Sequence, residues 1–319
     1  MELHKNKLDN ILITGGAGFI GSNIVNYFLK KNYKVTVLDN ISRGNIKRIK
    51  NHKNLKIIKG DIRNLKIVDR ACKNINSVIH LAAINGTENF YKKPDLVLDV
   101  AVTGTMNIIN SCIKHKIKKF YLASSSEVYQ NPTKIPTDEN ERLIVPNPHN
   151  PRYSYGGGKI ISELLCLNYG KKYFKKMIIF RPHNVFGPDM GWEHVIPQLL
   201  SKIKKRKKNT ITFQGSGNES RAFIHIDDFC NAFYMVYKKG KHLEIYNIGN
   251  DKEIKIINLL KTILKKLNLK ININKADLQK GSPKRRCPNI YKIKKLGYKP
   301  NYKLEDSLSD SIEWYIENS

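Results

Sequence analysis

The sequence is short of acids, of cysteines and of long apolar runs. Its five cysteines (Cys72, Cys112, Cys166, Cys230 and Cys287) are an odd number, widely spaced over 319 residues, with no CxxC pair. That excludes a disulfide scaffold and a structural zinc site, and it fits a reducing compartment, so a cytoplasmic protein is expected. No HExxH and no His/Cys cluster occurs, and no metal is expected. No stretch reaches the ~18–20 apolar residues of a bilayer span, and no membrane partner is expected. The first ten residues, MELHKNKLDN, are polar, and glycines 15, 16, 18 and 21 break the apolar segment behind them. That is not the pattern of a secretory leader.

The shortage of acids is the largest imbalance. Asp and Glu number 27 against 57 Lys and Arg, a formal net charge of +30. Charge on this scale points to nucleic acid when it is gathered on one face and interleaved with aromatic rings. Here lysine is spread through the chain, and the one dense run, KIKKRKK at 202–208, contains no aromatic residue. A solvated lysine-rich surface accounts for it, with attraction of anionic substrates as a by-product. No nucleic-acid partner is expected.

Apolar residues make up 40% of the chain, enough for a full core, and the length allows two domains. Residues 10–14 (NILIT), 34–39 (KVTVLD), 55–61 (LKIIKGD), 77–83 (SVIHLAA), 118–126 (KKFYLASSS) and 177–182 (MIIFRP) read as strands. Helical patterns at 20–31 and 95–116 lie between them. This alternation predicts βαβ units and a doubly wound parallel sheet. After Pro182 the pattern is irregular. A strand at 246–250, an amphipathic helix at 254–268 and a closing helix at 304–316 stand out.

TGGAGFIG at 14–21 joins the first strand to the first helix. Gly15, Gly18 and Gly21 supply a tight turn, close backbone approach to a pyrophosphate, and close packing of helix on strand. The helix N-terminus adds amide donors and partial positive charge. Asp39 ends the second strand, 18 residues after Gly21. A carboxylate there accepts hydrogen bonds from adenosine ribose hydroxyls and repels a 2′-phosphate, which favours NAD over NADP. Arg43 lies close enough to leave the second cofactor open. Tyr155 and Lys159 are four apart and share a helix face. A nearby ammonium favours the phenolate and brings tyrosine toward use as a base at neutral pH.

Taken together these motifs resemble the extended short-chain dehydrogenase/reductases, in the NAD-dependent epimerase/dehydratase branch that modifies nucleotide sugars. The landmarks are TGGAGFIG, Asp39, GDI (60–62), HLAA (80–83), SSSEVY (124–129), Tyr155-x3-Lys159, RPHNVFGP (181–188), Arg221 within SRAFIHIDD and RRCP (285–288). Their order and spacing cover almost the whole chain. NPRYSYGGGK (150–159), SRAF and RRCP are most similar to the UDP-glucuronate decarboxylase-like members.

The resemblance implies a Rossmann-type α/β fold. Residues 1–181 plus about 222–248 would hold NAD, and about 182–221 plus 249–319 would form a smaller mixed α/β domain for the nucleotide sugar. Phe19, Ile20, Asn40, Leu81, Ala82 and Ala83 would lie along the cofactor with Gly15, Gly18 and Asp39, and Asp61 and Ile62 would flank the adenine. Tyr155 would take the proton from a sugar hydroxyl, Lys159 would bond the nicotinamide ribose, and Ser125 would bond the reacting oxygen. Glu127 would handle elimination or decarboxylation at the 4-keto stage. Ser126, Asn184, Arg221 and Arg286 would bind substrate, with Arg181 a further candidate for a sugar carboxylate. His183 and His194 would lie near the pocket, whereas His80 and His225 read as structural.

The resemblance also implies a homodimer through helices near 95–116 and 155–170, and synthesis of polysaccharide precursors. The expected activity is transient C4 oxidation of a UDP-, GDP- or dTDP-linked sugar followed by lyase chemistry (decarboxylation or 4,6-dehydration). A 4-epimerase is the alternative within the class, and a non-catalytic NAD- or nucleic-acid-binding relative the alternative outside it. Several residues depart from the family pattern: Gln130 where glycine is usual, Ala101 where asparagine often holds the cofactor, Gly156 and Gly157 inside the Tyr–Lys turn, and GWEHVIP at 191–197.

Overall fold

The computed structural model describes residues 9–206, 209–276 and 284–318. Residues 1–8 of the polar N-terminus, and Lys207 and Lys208 at the end of the basic run, lie outside them. In chain order the first half comprises β1 (Asn10–Thr14), α1 (Phe19–Lys30), β2 (Lys34–Asp39), β3 (Leu55–Lys59), α2 (Leu65–Ala71), β4 (Ser77–His80), α3 (Thr87–Lys92), α4 (Pro94–Asp99), α5 (Thr105–Lys114), β5 (Lys119–Ala123), α6 (Ser154–Tyr173) and β6 (Lys176–Pro182). The second comprises β7 (Val185–Phe186), α7 (Val195–Lys204), β8 (Thr210–Gln214), β9 (Ser220–Ala222), β10 (Ile224–His225), α8 (Ile226–Lys239), β11 (Ile245–Ile248), β12 (Glu253–Lys255), α9 (Ile256–Lys266), β13 (Asn272–Ala276), β14 (Arg285–Arg286), α10 (Tyr291–Lys294) and α11 (Leu304–Glu317).

Seven strands form one sheet in the order β11-β6-β5-β4-β1-β2-β3. Every neighbouring pair is parallel. A parallel sheet is covered on both faces, so its strands read as continuous apolar runs. Ile11, Leu12 and Ile13 accordingly are all fully buried, with Ile11 and Ile13 on one face and Leu12 on the other. The face of Ile13 packs on α1 and α8 through Phe28, Phe229 and Phe233, and the opposite face on α2, α5 and α6 through Val68, Ile109 and Cys166. A separate apolar cluster, built from α7, α9 and α11 around Ile196, Leu259 and Ile312, carries the second half. Three small sheets (β10-β7, β12-β9-β14 and β13-β8) belong to that half.

Several elements end earlier than the sequence pattern predicts. β4 stops at His80; the amide of Leu81 makes the last rung to the Thr14 carbonyl, and Ala82 then lies against Gly15 where β1 has already turned away. The helix expected over 95–116 is α4 and α5 joined by a π turn at Val100–Gly104. Counted as one helix, Pro94–Lys114 is long and apolar enough by composition to cross a bilayer, which the sequence reading did not anticipate. Half of that apolar stretch is buried, and Val100, Ile108, Ile109 and Cys112 belong to the core against the sheet. The region after Pro182, irregular in sequence, resolves into α7, β8 and β9.

Candidate active site

The chain lays β1, β2 and β3 outward to one side and β4, β5, β6 and β11 to the other. The connections part where β1 meets β4, and in such sheets ligands bind beyond the strand ends at that point. A cleft of about 440 Å³ opens there. Gly15, Asp39, Ser125, Glu127, Tyr155 and Lys159 all line it.

The cofactor end is built from the β1–α1 turn. Gly15 has φ +70, and a Cβ on it would stand 2.7 Å from the Ala82 amide nitrogen. Only glycine lets these backbones cross so closely at that angle. The α1 N-terminus follows at Phe19, where unpaired amides suit a pyrophosphate. Asp39 is buried, its Oδ2 accepting from the Ala17 amide at 2.9 Å and its Oδ1 from the Ile41 amide at 2.8 Å. The loop thus fixes the carboxylate at the cleft wall. Asp61 accepts from Arg63 and from Asn40 Nδ2, and these bonds, Arg63 first, pull its pKa down to about 2. Phe19, Ile20, Asn40, Ile62, Leu81, Ala82, Ala83 and Gly18 line the same cleft. Arg43, the residue that left NADP open, donates to the Asn85 carbonyl and pairs with Glu193. Its guanidinium is engaged across the cleft rather than held for a 2′-phosphate.

Tyr155 and Lys159 sit on the first turns of α6, both buried. Burial pushes the Tyr155 phenol up to about 12, while a hydrogen bond with Ser125 opposes it. Phe90 of α3 stacks on the ring, 5.1 Å between centroids and 15° off parallel. Burial brings Lys159 down to about 8, and its ammonium donates to the Ala123 carbonyl at 2.7 Å. The ammonium lies 5.8 Å from the Tyr155 ring centroid, and burial outweighs the charges around the phenol, so the lowered tyrosine pKa expected from the sequence is not met in this structure.

Glu127 lies beyond the tyrosine, on a one-turn 3-10 helix, Ser126–Val128, that Ser125 caps by accepting from the Glu127 amide. Its carboxylate accepts from Arg286 Nη1 at 2.9 Å. Burial alone would raise its pKa, but the fields of Arg286, Arg152 and Arg221 and the Arg286 hydrogen bond outweigh it, so Glu127 titrates below its ordinary range. The site therefore holds an ionised carboxylate at neutral pH. Among the described residues, Arg152 Nε and Arg286 Nη2 are buried without a hydrogen-bond partner. Buried donors of this kind are normally satisfied, and an anionic group in the cleft would satisfy both.

Residues 11–249 match the NAD dependent epimerase/dehydratase family. The chain belongs to that family. It is 34% identical over 274 residues to a dTDP-D-glucose 4,6-dehydratase of Dictyostelium discoideum, covering 81% of this chain and 62% of that one. The chain thus spans less than two thirds of that relative's length. It is 33% identical to a putative UDP-glucose 4-epimerase of Methanocaldococcus jannaschii, over 97% of this chain and 99% of the other. A dTDP-glucose 4,6-dehydratase from Streptomyces venezuelae solved with NAD bound superposes with a TM-score of 0.87, at 27% identity over 97% of each chain. The cofactor is NAD, and the glycine turn, the Asp39 carboxylate and the α1 terminus are a cradle that fits it.

The remaining residues expected in a family site are placed as follows. Ser126 and Asn184 line the cleft, but Asn184, at φ 40, spends its Nδ2 on the Ala222 carbonyl. Arg221 donates to the Ser220 and Lys284 carbonyls and reaches Glu127 through its field. Arg181 is elsewhere. Its guanidinium is buried against Glu163, with Nε to Oε1 at 2.8 Å and Nη2 to Oε2 at 2.6 Å, so it holds the framework and not a sugar carboxylate. His194 lines the cleft, whereas His183 is turned onto Asn247. His80 bridges Thr14 and Thr105, and His225 caps α8. Sequence reasoning passed over Arg152 and Phe90. The first was legible as the arginine three residues before the tyrosine; the second had no signal, since only the fold brings α3 onto α6.

Proposed function

We propose that this protein modifies a nucleotide sugar by transient oxidation at C4 followed by lyase chemistry at C5–C6. The observation that supports the lyase step is the Glu127 carboxylate, half-buried and held ionised by arginine in the same cleft as Ser125, Tyr155 and Lys159. Inverting a C4 centre needs no carboxylate beside Ser125, Tyr155 and Lys159, and taking one even partly out of water is costly unless it is paired.

When bound, NAD would supply the hydride acceptor and donor for the sugar. The chain's own residues do the rest. Ser125 orients the C4 hydroxyl, and Tyr155 takes its proton as the hydride departs. Lys159 stabilises the phenolate and bonds the ribose. The resulting ketone acidifies C5, and Glu127 takes the C5 proton and passes it to the departing C6 hydroxyl, which leaves as water. With a C5 carboxylate in place of that CH₂OH, the C5–C6 bond breaks, carbon dioxide leaves, the ketone takes the electron pair as an enolate, and a solvent proton relayed by Glu127 then takes the vacated place on C5. Ser126 offers no acid for a departing hydroxyl, which favours the second outcome. The likeness to dehydratases favours the first.

Incubation with dTDP-glucose, UDP-glucose, GDP-mannose and UDP-glucuronate, followed by mass spectrometry, tests this. Loss of water or of carbon dioxide supports the lyase reading, and it should vanish in Glu127→Gln. Unchanged mass with a shifted retention time, in both proteins, would replace it with the second reading, a 4-epimerase, which the similarity to the Methanocaldococcus protein favours.

In this reading the seven-stranded part holds NAD, and residues from about 182–221 and 249–319 hold the sugar nucleotide, with Asn184, Arg221 and Arg286 toward its diphosphate. A homodimer through α4 and α6 is supported by Leu98, Ile161 and Leu164, exposed at 37%, 40% and 56%. Light scattering at two concentrations tests it.

A further inference from the structure

Two departures from the family pattern meet in space. Gln130 occupies a left-handed position, φ 49, where glycine would be free of strain. Its side chain is nevertheless kept and buried. Its Nε2 donates to the Glu127 carbonyl at 2.6 Å. That carbonyl belongs to a 3-10 turn, whose last acceptors have no helical donor of their own. The carboxamide lies against Gly156, where a Cβ would stand 2.8 Å from Gln130 Nε2 and 3.1 Å from the Glu127 carbonyl oxygen. An alanine there would push the carboxamide off its acceptor. The missing side chain on α6 is thus the space that the extra side chain after Tyr129 fills.

We infer that Gln130 is a positioning residue: its carboxamide, wedged between the Glu127 carbonyl and Gly156, sets where the Glu127 carboxylate stands relative to Tyr155. The tie runs from the turn that carries the carboxylate to the residue that follows the tyrosine. It fixes one reacting group against the other without touching substrate. The inference rests on the proposed lyase role of Glu127 for its effect on rate, and on geometry alone for its effect on structure.

Gln130→Met fills the same space without a donor. The NAD-loaded variant, wild type and Glu127→Gln are compared on dTDP-glucose, UDP-glucose and UDP-glucuronate, and the variant's crystal structure is solved. The Glu127 carboxylate should leave its 2.9 Å contact with Arg286. Turnover should fall by about tenfold or more, as misplacement of a reacting group by ~1 Å does, with KM within about threefold and the thermal midpoint within about 2 °C. Gly156→Ala should displace the carboxylate in the same way and lower turnover, and should do less in a Gln130→Gly background. A carboxylate unmoved in Gln130→Met, with turnover within about twofold, overturns the inference. Full turnover by Glu127→Gln instead overturns the lyase reading, and the crystal structure still decides the positioning, as it does if none of the three sugars reacts.

Discussion

Arg181 offers the sharpest test of what frames the site. It is the largest of the fully buried side chains, and its fork meets Glu163 with both side chains 2% exposed. It also donates to the Tyr129 hydroxyl at 2.7 Å and the Glu139 carbonyl at 3.2 Å. Arg181→Met would leave Glu163 charged, buried and unpaired, which costs about 3–5 kcal/mol. Unfolding entropy near ~2.1 cal/mol/K per residue gives roughly 0.7 kcal/mol/K for 319 residues. The single variant should therefore melt about 4–7 °C lower. Arg181→Met with Glu163→Leu removes both charges. It forfeits the two smaller hydrogen bonds, about 1 kcal/mol each, and should return to within about 2 kcal/mol of wild type. Urea unfolding of the four proteins measures the cycle. A single variant within about 1 kcal/mol of wild type, or a double variant no more stable than the single, would refute the argument. The double variant should also still bind NAD and turn over sugar. Loss of turnover with the fold intact would restore Arg181 to the site.

Other expectations follow from the same geometry. Tyr155→Phe removes the proton acceptor and should abolish turnover while NAD still binds, read by mass spectrometry of products and by calorimetry. Gly15→Ala would drive a Cβ into the Ala82 amide 2.7 Å away, so NAD should fail to co-purify, as denaturing extraction would show. Arg286→Met removes the largest influence holding the Glu127 pKa down and leaves the burial that raises it. The carboxylate works above its pKa, so the acid loss of kcat should begin at higher pH in the variant than in wild type; an unmoved acid limb would detach Glu127 from the rate.

The parallel sheet was legible because its strands are buried on both faces and end at turn signals. The cofactor end was legible because chemistry there is done by backbone, and backbone proximity leaves glycines in the sequence. The substrate end was less so. Arg181, Arg221 and Arg286 look alike as letters, yet Arg181 is spent on Glu163 while Arg286 faces Glu127. An arginine's task depends on which carboxylate the fold brings to it. Phe90 against Tyr155, and Arg43 against Glu193, join segments far apart in the chain, and no local pattern carries such contacts.

Two departures from the family pattern, Ala101 and Gln130, each meet a glycine of α6 in the structure. Ala101 stands where an asparagine is common, and Gly158 faces it. A Cβ on Gly158 would come within 2.8 Å of the Ala101 Cβ, and the Ser162 hydroxyl donates to the Ala101 carbonyl at 3.0 Å. A small residue at 101 lets α6 close on the π turn, and a longer side chain there would force the helix bearing Tyr155 and Lys159 outward. Gln130 and Gly156 make the second pair on the same helix. In each pair a glycine of α6 gives the room, and the two glycines, 156 and 158, lie one and three residues after the tyrosine. The two glycines therefore set how closely α6 sits against the π turn and the Glu127 turn, beside Ser125, Tyr155 and Lys159.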